Sequence, residues 1–367
     1  MSRTLRALCL GVALVALMAA CVGAILLSEI RRPVDDQDDR AVEFTVQPGD
    51  PTAVIATNLR SDGLIRVPQL FSLLVRLQGL DDRLQAGRYL LRPNMTMSQI
   101  ISALQTGIKV EEVQITIVEG LRLEEVAEKV AAAGLPNVTE DVFLSATRQG
   151  ATFKVNHFHL GSLPDDASLE GYLFPDTYRF AKTATITDVV ETMLNRFDEQ
   201  YATFEKEVRV PDVDVHKIVT MASIIQREAT NRDEMSKISA VFWNRLKPEN
   251  VGQFGGGRLG SDPTVQYVLG QKGSWWPKLD TLNNDEINNA GANTSRFPYN
   301  TRSNGGLPPG PISNPGLDAL RAAAQPDESG SYLYFVASCD APGTHKFAQS
   351  FEEFQQYEQE YLSCPKP

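Results

Sequence analysis

The chain has 367 residues, of which 42% are hydrophobic and 22% are charged. This length predicts about two or three domains, and the composition excludes a chain that is disordered throughout. The 35 basic and 46 acidic residues give a formal net charge of -11, which argues against nucleic acid as a partner because phosphate backbones bind basic surfaces. The cysteines lack the spacing of zinc sites, and we predict neither a metal nor another cofactor. They are Cys9, Cys21, Cys339 and Cys364.

The first 27 residues contain a long apolar segment. Ala7 to Leu27 are 21 consecutive residues without a charged side chain, long enough as a helix to cross the roughly 30 Å hydrocarbon layer. We predict a membrane-spanning helix, so that residues 1–27 form a cytoplasmic tip and a single-pass anchor. A cleaved signal peptide and a lipid-modified Cys21 are the alternatives, although the apolar run exceeds the about 7 to 15 residues of a signal peptide.

Arginines flank the apolar segment on both sides, so charge does not set its orientation. Long folded regions are translocated largely regardless of charge. We therefore place the bulk of the chain outside the cytoplasm, anchored in the plasma (inner) membrane. Cys339 and Cys364 can pair in that compartment, but the sequence leaves open whether their Cα atoms lie within bonding range.

A strand-turn-helix pattern occurs three times after an acidic linker at residues 28–42. Each predicted strand is followed by two turn residues and an amphipathic helix. The strands are predicted at residues 44–46, 89–91 and 115–117. Glycine or asparagine at the second turn position predicts a left-handed backbone there. These positions are Gly49, Asn94 and Gly120.

The first of these units resembles a known carbohydrate-binding module. Residues 44–50, FTVQPGD, followed by Ile55 and Ala56, are similar to a LysM module, which holds chains of N-acetylglucosamine. A small α/β scaffold without a ligand is an equally consistent interpretation. Beside a membrane anchor, the resemblance indicates the cell-wall polymer as substrate. The domains predicted after the linker are a LysM-like domain at 43–108, a connecting α/β region at 109–210 and a catalytic domain at 211–367.

A carboxyl group lies on the apolar face of the helix predicted over residues 213–233. At 100° per residue, Glu228 and three apolar residues fall within about 80° of one another. The three are Ile218, Met221 and Ile225. Loss of hydration there raises the pKa of a glutamic acid above about 4.3, so that it holds a proton near neutral pH, as a general acid must. The alternative is an ion pair with a basic residue such as Arg245, which keeps Glu228 charged.

Residues 222–229, ASIIQREA, resemble the signature of the YceG-like endolytic murein transglycosylases. The resemblance extends over about residues 44–350, because other blocks agree in chain order. They are EGLRLEEVAEKV (119–130), EGYLFPDTY (170–178), VFWNRL (241–246), SDPTVQY (261–267), FPYNTR (297–302), GLPPGPISNPG (306–316), YLYFVA (332–337) and GTHKF (343–347). Two departures are Gln226, where many relatives have glutamic acid, and a glycine-containing insertion at residues 247–260, predicted to be a mobile surface loop. An amide cannot act as an acid, so Glu228 alone can carry the catalytic role in this signature.

The resemblance implies a reaction that needs a single acid. A lytic transglycosylase cleaves the bond from N-acetylmuramic acid to N-acetylglucosamine without water, because the muramoyl 6-hydroxyl closes onto its own anomeric carbon. Glu228 would first protonate the leaving oxygen and then accept the proton of the 6-hydroxyl. Ordinary glycosidases need a second carboxyl group for water or for a covalent intermediate.

Several residues near the matched motifs are predicted to bind the glycan. An aromatic ring beside an amide and a hydroxyl suits a pyranose, whereas a plain turn, core packing and local capping of backbone amides are the alternatives. The predicted substrate-binding residues are Ser223, Gln226, Glu170, Tyr172, Asp262, Tyr299, Asn300 and Thr301. Capping is the favoured alternative for Asp262, in its Ser-Asp-Pro sequence.

We therefore predict an α+β protein with a single N-terminal transmembrane helix, a LysM-like module and a C-terminal lysozyme-like catalytic domain. By resemblance it is an endolytic lytic transglycosylase that ends the elongation of nascent glycan strands. The implied partners are peptidoglycan strands, the membrane and penicillin-binding synthases. A non-catalytic, membrane-anchored scaffold that binds peptidoglycan for these synthases is the alternative, and a muramidase that uses water is a further one.

Overall fold

A computed structural model describes residues 28–81, 83–106 and 111–364, together with Met18. Helices and small sheets are mixed along the chain, which confirms the α+β class. The predicted membrane helix at Ala7 to Leu27, apart from Met18, lies outside the described residues, as does Cys21. Within the described ranges, no helix has the length and apolar character needed to cross a membrane. The chain divides into two compact units, one ending at Glu111 and the other beginning at Glu112.

The described residues of the first unit form one antiparallel sheet of two strands and three helices of ten residues. Its elements are β1 (Val42–Val46), α1 (Thr52–Ser61), α2 (Pro68–Leu77), β2 (Gly87–Leu91) and α3 (Met97–Thr106). Phe44 of β1 lies opposite Tyr89 of β2. Both side chains are buried, together with Phe71 of α2. This unit therefore has its own hydrophobic core.

The second unit contains two further antiparallel strand pairs and a larger set of helices. Its strands are β3 (Glu112–Thr116), β4 (Thr177–Ala181), β5 (Tyr334–Ala337) and β6 (His345–Ala348), paired as β3–β4 and β5–β6. Its α-helices are α4 (Leu123–Ala132), α5 (Glu140–Thr147), α6 (Ile186–Ala202), α7 (Val215–Glu228), α8 (Met235–Leu246), α9 (Pro248–Val251), α10 (Asp262–Leu269), α11 (Asn284–Asn288), α12 (Leu317–Ala324) and α13 (Phe351–Leu362).

The three predicted strand-turn-helix units are present as β1–α1, β2–α3 and β3–α4. The backbone φ is +87° at Gly49 and +79° at Gly120, which confirms the left-handed conformation at these turns. Asn94 does not share it. The Met95 N–H donates to the Arg92 carbonyl at 3.0 Å, and a turn closed in this way, with proline second, accommodates negative φ at both central residues. The prediction for Asn94 was therefore wrong.

Helix α7 crosses the core of the second unit and packs against α8 and α12. It begins where the Asp214 side chain accepts the Lys217 N–H at 2.9 Å. Every residue from Ile218 to Ile225 is buried, so the helix is covered on all sides rather than along one stripe. It ends at Glu228, before the predicted limit of residue 233, because Ala229 has an extended backbone. Glu228 thus stands where the helix leaves the core.

Two local features of the second unit bear on the sequence analysis. Cys339 and Cys364 form a disulfide with a Cα–Cα distance of 6.0 Å, which settles a pairing that the sequence left open. The insertion at residues 247–260 is not a free surface loop. It contains α9, and its end is fixed because the Gly257 carbonyl accepts from Gly306 N–H and the Gly260 N–H donates to the Thr301 carbonyl, both at 3.0 Å.

Candidate active site

Glu228 has the position and protonation expected of a general acid. It is the last residue of α7 and remains partly exposed. The Ser261 hydroxyl donates to Glu228 Oε1 at 2.6 Å. Burial of the carboxyl raises its pKa to about 7, while the Ser261 hydrogen bond acts in the opposite direction. A large share of this carboxyl is therefore protonated near neutral pH, which confirms the expected direction of the shift.

Glu228 does not form the ion pair with Arg245 that was the alternative. Among the described residues, the ion pairs do not include Glu228. Arg245 instead donates from Nε to the Leu333 carbonyl at 2.8 Å and from Nη1 to the Leu259 carbonyl. Burial lowers the pKa of Arg245 to about 10. Arg245 thus acts on Glu228 as a nearby charge, which lowers the carboxyl pKa without forming a direct pair.

Buried hydroxyl groups hold Ser261 in place. The Ser261 N–H donates to Thr301 Oγ1 at 3.1 Å, and the Thr264 hydroxyl donates to the Ser261 carbonyl at 2.6 Å. The hydroxyls of Thr264 and Thr301 lie 2.8 Å apart. Thr301 is only 1% exposed, so its surroundings favour positioning of Ser261 over the direct sugar contact predicted from the sequence.

The other residues of the predicted sugar-contact segment have different surroundings. Asn300 is buried, and its amide donates to the Ile287 carbonyl at 2.8 Å and to the Ala290 carbonyl at 3.3 Å. Tyr299 keeps exposed surface, and its ring centroid lies 5.0 Å from that of Tyr267. Tyr299 is the member of this segment that keeps exposed surface, and its contact with substrate remains a prediction.

Asp262 is the first residue of α10 and forms an ion pair. Its Oδ1 accepts from Arg302 Nε at 2.8 Å, so the favoured alternative, local capping of backbone amides, is replaced by a long-range contact. The Asp262 charge raises the pKa of Glu228 and the Arg302 charge lowers it. Asp262 therefore lies close enough for its charge to act on the acid, and its own carboxylate is paired with Arg302.

Two of the remaining predicted contacts are buried and bonded within the protein. Glu170 is 3% exposed; it accepts from the Leu123 N–H at 2.9 Å and from the Asn314 amide at 3.2 Å. The Tyr172 hydroxyl lies 3.0 Å from His216 Nδ1. These contacts fix the protein framework, and the structure gives neither side chain an open route to a polymer.

Ser223 and Gln226 connect α7 to the segment that precedes α12. Ser223 Oγ accepts from the Ile312 N–H at 3.0 Å and is fully buried. Gln226 Oε1 accepts from the Gly316 N–H at 2.9 Å and keeps exposed surface. Their predicted contact with substrate remains a prediction, whereas their role in holding the segment beside α7 is visible.

Residues 120–128 and 267–276, together with Arg227, form a wall of aromatic rings and arginines that local sequence patterns did not indicate. Arg122 is fully buried between the rings of Tyr267, at 4.3 Å, and Trp275, at 4.8 Å. Arg227 lies over the ring of Trp276 at 3.9 Å. The motif EGLRLEEV and the Trp-Trp pair were visible in the sequence, but nothing local indicated that they meet.

The histidines do not indicate a metal centre. In the ranges that the structure describes, no group of three or more histidine, cysteine or acidic side chains has the arrangement of a metal site. His157 and His159 lie 2.6 Å and 2.7 Å from the carboxylate of Asp198. His159 also contacts Glu205 at 3.1 Å. These groups form an ionic cluster that packs against α6.

Comparison with known proteins gives consistent matches over most of the chain. The model of the YceG-like family matches residues 44–360. An endolytic murein transglycosylase from Bacillus subtilis is 31% identical over 358 residues, which cover 93% of this chain and 91% of that protein. A protein of the same name from Streptococcus pneumoniae is 28% identical over 83% of this chain and 56% of its own length. A crystal structure of a YceG-like protein from Listeria monocytogenes has a TM-score of 0.54 at 30% identity, covering 87% of this chain and 99% of that one.

Proposed function

Because the chain belongs to the YceG-like family, we propose that it is an endolytic murein transglycosylase. It cleaves the bond from N-acetylmuramic acid to N-acetylglucosamine within peptidoglycan strands and leaves 1,6-anhydro ends. The relatives from Bacillus and Streptococcus carry this name. In this chain the proposal rests on Glu228. The residue is partly exposed, and burial of its carboxyl raises the pKa to about 7.

Bond cleavage begins with the proton of Glu228. The protonated carboxyl donates to the glycosidic oxygen, the bond from that oxygen to the anomeric carbon breaks, and the N-acetylglucosamine end leaves as an alcohol. A general acid works best when its pKa lies near the operating pH, and Glu228 meets this condition. Its position at the end of a buried helix holds Glu228 in place, and the residue keeps exposed surface.

The second step returns the proton. The Glu228 carboxylate accepts the proton of the muramoyl 6-hydroxyl while that oxygen forms its bond to the anomeric carbon, so the acid is regenerated without water. The Ser261 hydroxyl stabilises the carboxylate between the two steps because it donates to Oε1 at 2.6 Å. The ion pair of Asp262 with Arg302 supports a mechanism with a single acid.

Analysis of the product termini tests this proposal against hydrolysis and against a binding role. Defined glycan strands are digested with the protein, and the ends are identified by mass spectrometry. We expect anhydro ends, which are lighter than reducing ends by one water. Reducing ends would instead support a muramidase. Strands that bind but remain uncut would support the non-catalytic scaffold.

We further propose that residues 1–27 anchor the chain in the plasma membrane, with the following residues outside the cytoplasm. The 21 uncharged residues from Ala7 to Leu27 support this, and the linker at 28–42 leads to a LysM-like domain at 43–108. The connecting region at 109–210 and a lysozyme-like catalytic domain at 211–367 complete this division. Protease treatment of intact cells tests the membrane topology. Cleavage of the residues that follow the anchor is expected, and full protection of the chain would contradict their placement outside the cytoplasm.

The LysM-like domain is proposed to hold the glycan near the membrane, beside penicillin-binding synthases that make it. A cavity of about 560 Å³ next to the turn after β1, lined by Gly49, Asp50 and Arg76, supports a binding role. Titration of the full chain with oligomers of N-acetylglucosamine tests the domain. Binding that is weakened by Arg76→Ala supports the proposal, and unchanged binding contradicts it.

A further inference from the structure

Among the described residues, Arg227 is a cation without an anionic partner. It precedes Glu228 in α7, and at about 100° per residue the two side chains leave the helix on different faces. In the part of the chain described, Arg227 forms no ion pair, and its one hydrogen bond runs from Nη1 to the Gly120 carbonyl at 3.5 Å, the limit of a hydrogen bond. The Nε of Arg227 is buried and has no acceptor, although the residue as a whole keeps exposed surface.

A second arginine of the same wall shows what Arg227 lacks. Arg122 is also stacked on aromatic rings, but its Nε donates to Glu124 at 2.7 Å and its Nη1 to the Tyr267 carbonyl at 3.2 Å. Glu125 is the carboxylate whose charge acts on Arg227. Its Oε2 already accepts from the Trp276 ring N–H at 2.8 Å, and from the backbone N–H of Arg122 at 3.1 Å.

The electrostatics agree with this difference. Burial lowers the pKa of the Arg227 guanidinium, and the Glu125 charge offsets part of that shift. For Arg122, burial also lowers the pKa, but the hydrogen bond and charge of Glu124 together with the charges of Tyr267 and Glu170 raise it overall. Arg227 therefore loses hydration, as a residue in a binding site does. No anion in contact with it compensates for this loss among the described residues.

The stacking contact gives Arg227 a fixed orientation. Its guanidinium carbon lies 3.9 Å from the centre of the Trp276 ring, and Trp276 is held by its hydrogen bond to Glu125. A guanidinium held in one plane presents its N–H groups as a fork, which matches the two oxygens of a carboxylate. Hydroxyl and acetamido groups of a neutral sugar do not have this geometry and charge.

We propose that Arg227 binds a carboxylate of the peptidoglycan strand. This inference rests on the proposed function. The carboxylate has two sources: the lactyl group of N-acetylmuramic acid where no peptide is attached, and the free carboxylates of the peptide stem where one is. The site thus makes the cleavage rate depend on the negative charge of the muramoyl substituent.

Four pools of strands of equal length separate these sources. One pair carries peptide stems, with their carboxylates either free or converted to amides. The other pair is stripped of peptides, with the lactyl carboxylate either free or converted to an amide. The readout is the ratio of kcat/KM for the charged pool to that for the neutral pool within each pair, measured as anhydro ends formed.

We expect one of the two ratios to be about 10- to 100-fold in the wild-type chain, the range for a hydrogen bond to a charged group. Arg227→Gln is expected to bring that ratio close to one. Arg227→Lys keeps the charge without the fork and is expected to give an intermediate ratio. The pair in which the ratio is large identifies the source of the carboxylate.

Arg179→Gln is the matched control, because Arg179 is exposed on β4 and lies opposite Gln114. It should leave both ratios at the wild-type values. Circular dichroism checks that each variant is folded. If Arg227→Gln does not fold, the ratios of Arg227→Lys test the proposal instead. Ratios within about twofold of one in the wild type, or a large ratio that survives both substitutions of Arg227, would overturn the proposal. Absence of anhydro ends from every pool would instead contradict the proposed function.

Discussion

Glu228 and Glu170 lie in two regions of the second unit, and burial is the first cause of a raised pKa in both, to about 7 and about 8. Their surroundings differ in every other respect. Glu228 keeps exposed surface and accepts one hydroxyl, from Ser261. Glu170 is 3% exposed and accepts the Leu123 N–H and the Asn314 amide. A raised pKa therefore reports loss of hydration and does not by itself separate the acid proposed for catalysis from a buried structural carboxyl.

The largest effect is expected at Glu228. Glu228→Gln keeps the shape of the side chain but removes the proton donor, so kcat for anhydro-end formation should fall by about 10²- to 10⁴-fold, the range for general acid catalysis. Binding of strands, measured by calorimetry, should remain. A variant that still forms anhydro ends at more than about a tenth of the wild-type rate would show that another group supplies the proton.

Substitution of Glu170 should instead affect the stability of the folded chain. Glu170→Ala removes the acceptor of the Leu123 N–H and one of the two acceptors of the Asn314 amide, at about 1–3 kcal/mol for each buried donor left unpaired. For a unit of this size, each kcal/mol corresponds to roughly 2–4 °C in Tm, which differential scanning calorimetry measures. Glu170→Gln keeps one acceptor oxygen and should lose less. Equal Tm values for the wild type and the alanine variant would show that these hydrogen bonds are not what Glu170 provides.

The pH dependence of stability sharpens the same comparison. Because the pKa of Glu170 is higher in the folded chain than in the unfolded one, folding takes up a proton between about pH 4.5 and 8, and this carboxyl destabilises the fold as pH rises through that window. Glu170→Gln removes the effect. Its Tm relative to the wild type should therefore increase from pH 5 to pH 8, and a constant difference would contradict the raised pKa.

A smaller, catalytic effect is expected at Ser261. Its hydroxyl stabilises the Glu228 carboxylate and so lowers the pKa of the acid. Ser261→Ala removes this donor, so the alkaline limb of the profile of kcat/KM against pH should move to higher pH, by about one unit for a bond of about 1.4 kcal/mol. Ser102→Ala, on the exposed face of α3, is the control. An alkaline limb at the same pH as in the wild type would show that Ser261 does not affect the titration of Glu228.

The smallest effect concerns the ionic cluster next to α6. The contact with Asp198 is the main cause that raises the pKa of His159, so the stabilisation is present below the unfolded pKa of histidine and is lost as pH rises through the folded one. Asp198→Asn should lower Tm more at pH 6 than at pH 9. The alkaline limb of kcat/KM should not move, since this cluster does not contact Glu228. A shift of the alkaline limb would show that the cluster is coupled to Glu228.

Local patterns in the sequence predicted a large part of the fold. The strand-turn-helix units and the helix carrying Glu228 follow from apolar periodicity and turn residues, which act over a few positions. The end of α7 at Glu228 was missed because neither glycine nor proline follows it until well beyond Asp233. The raised pKa of Glu228 was predicted because burial of the carboxyl follows from its position on the helix.

The partners of the acid could not be predicted in the same way. Ser261 lies 33 positions from Glu228, and Arg302 lies 40 positions from Asp262. Such contacts depend on how helices and loops pack, and any of several hydroxyls or arginines satisfies the same chemistry. The same reason explains why Thr301, with the composition of a sugar contact, is instead a buried support for Ser261.

The most direct test of the account is a titration of Glu228 in the folded chain. The carboxyl carbon is followed by NMR in protein labelled with ¹³C-glutamate, and its resonance is assigned by its absence in Glu228→Gln. We predict a midpoint near pH 7, with the group protonated in mild acid and available as the proton donor. A midpoint near the ordinary value of about 4.3 would show that Glu228 is ionised at neutral pH, and it would contradict the proposed role.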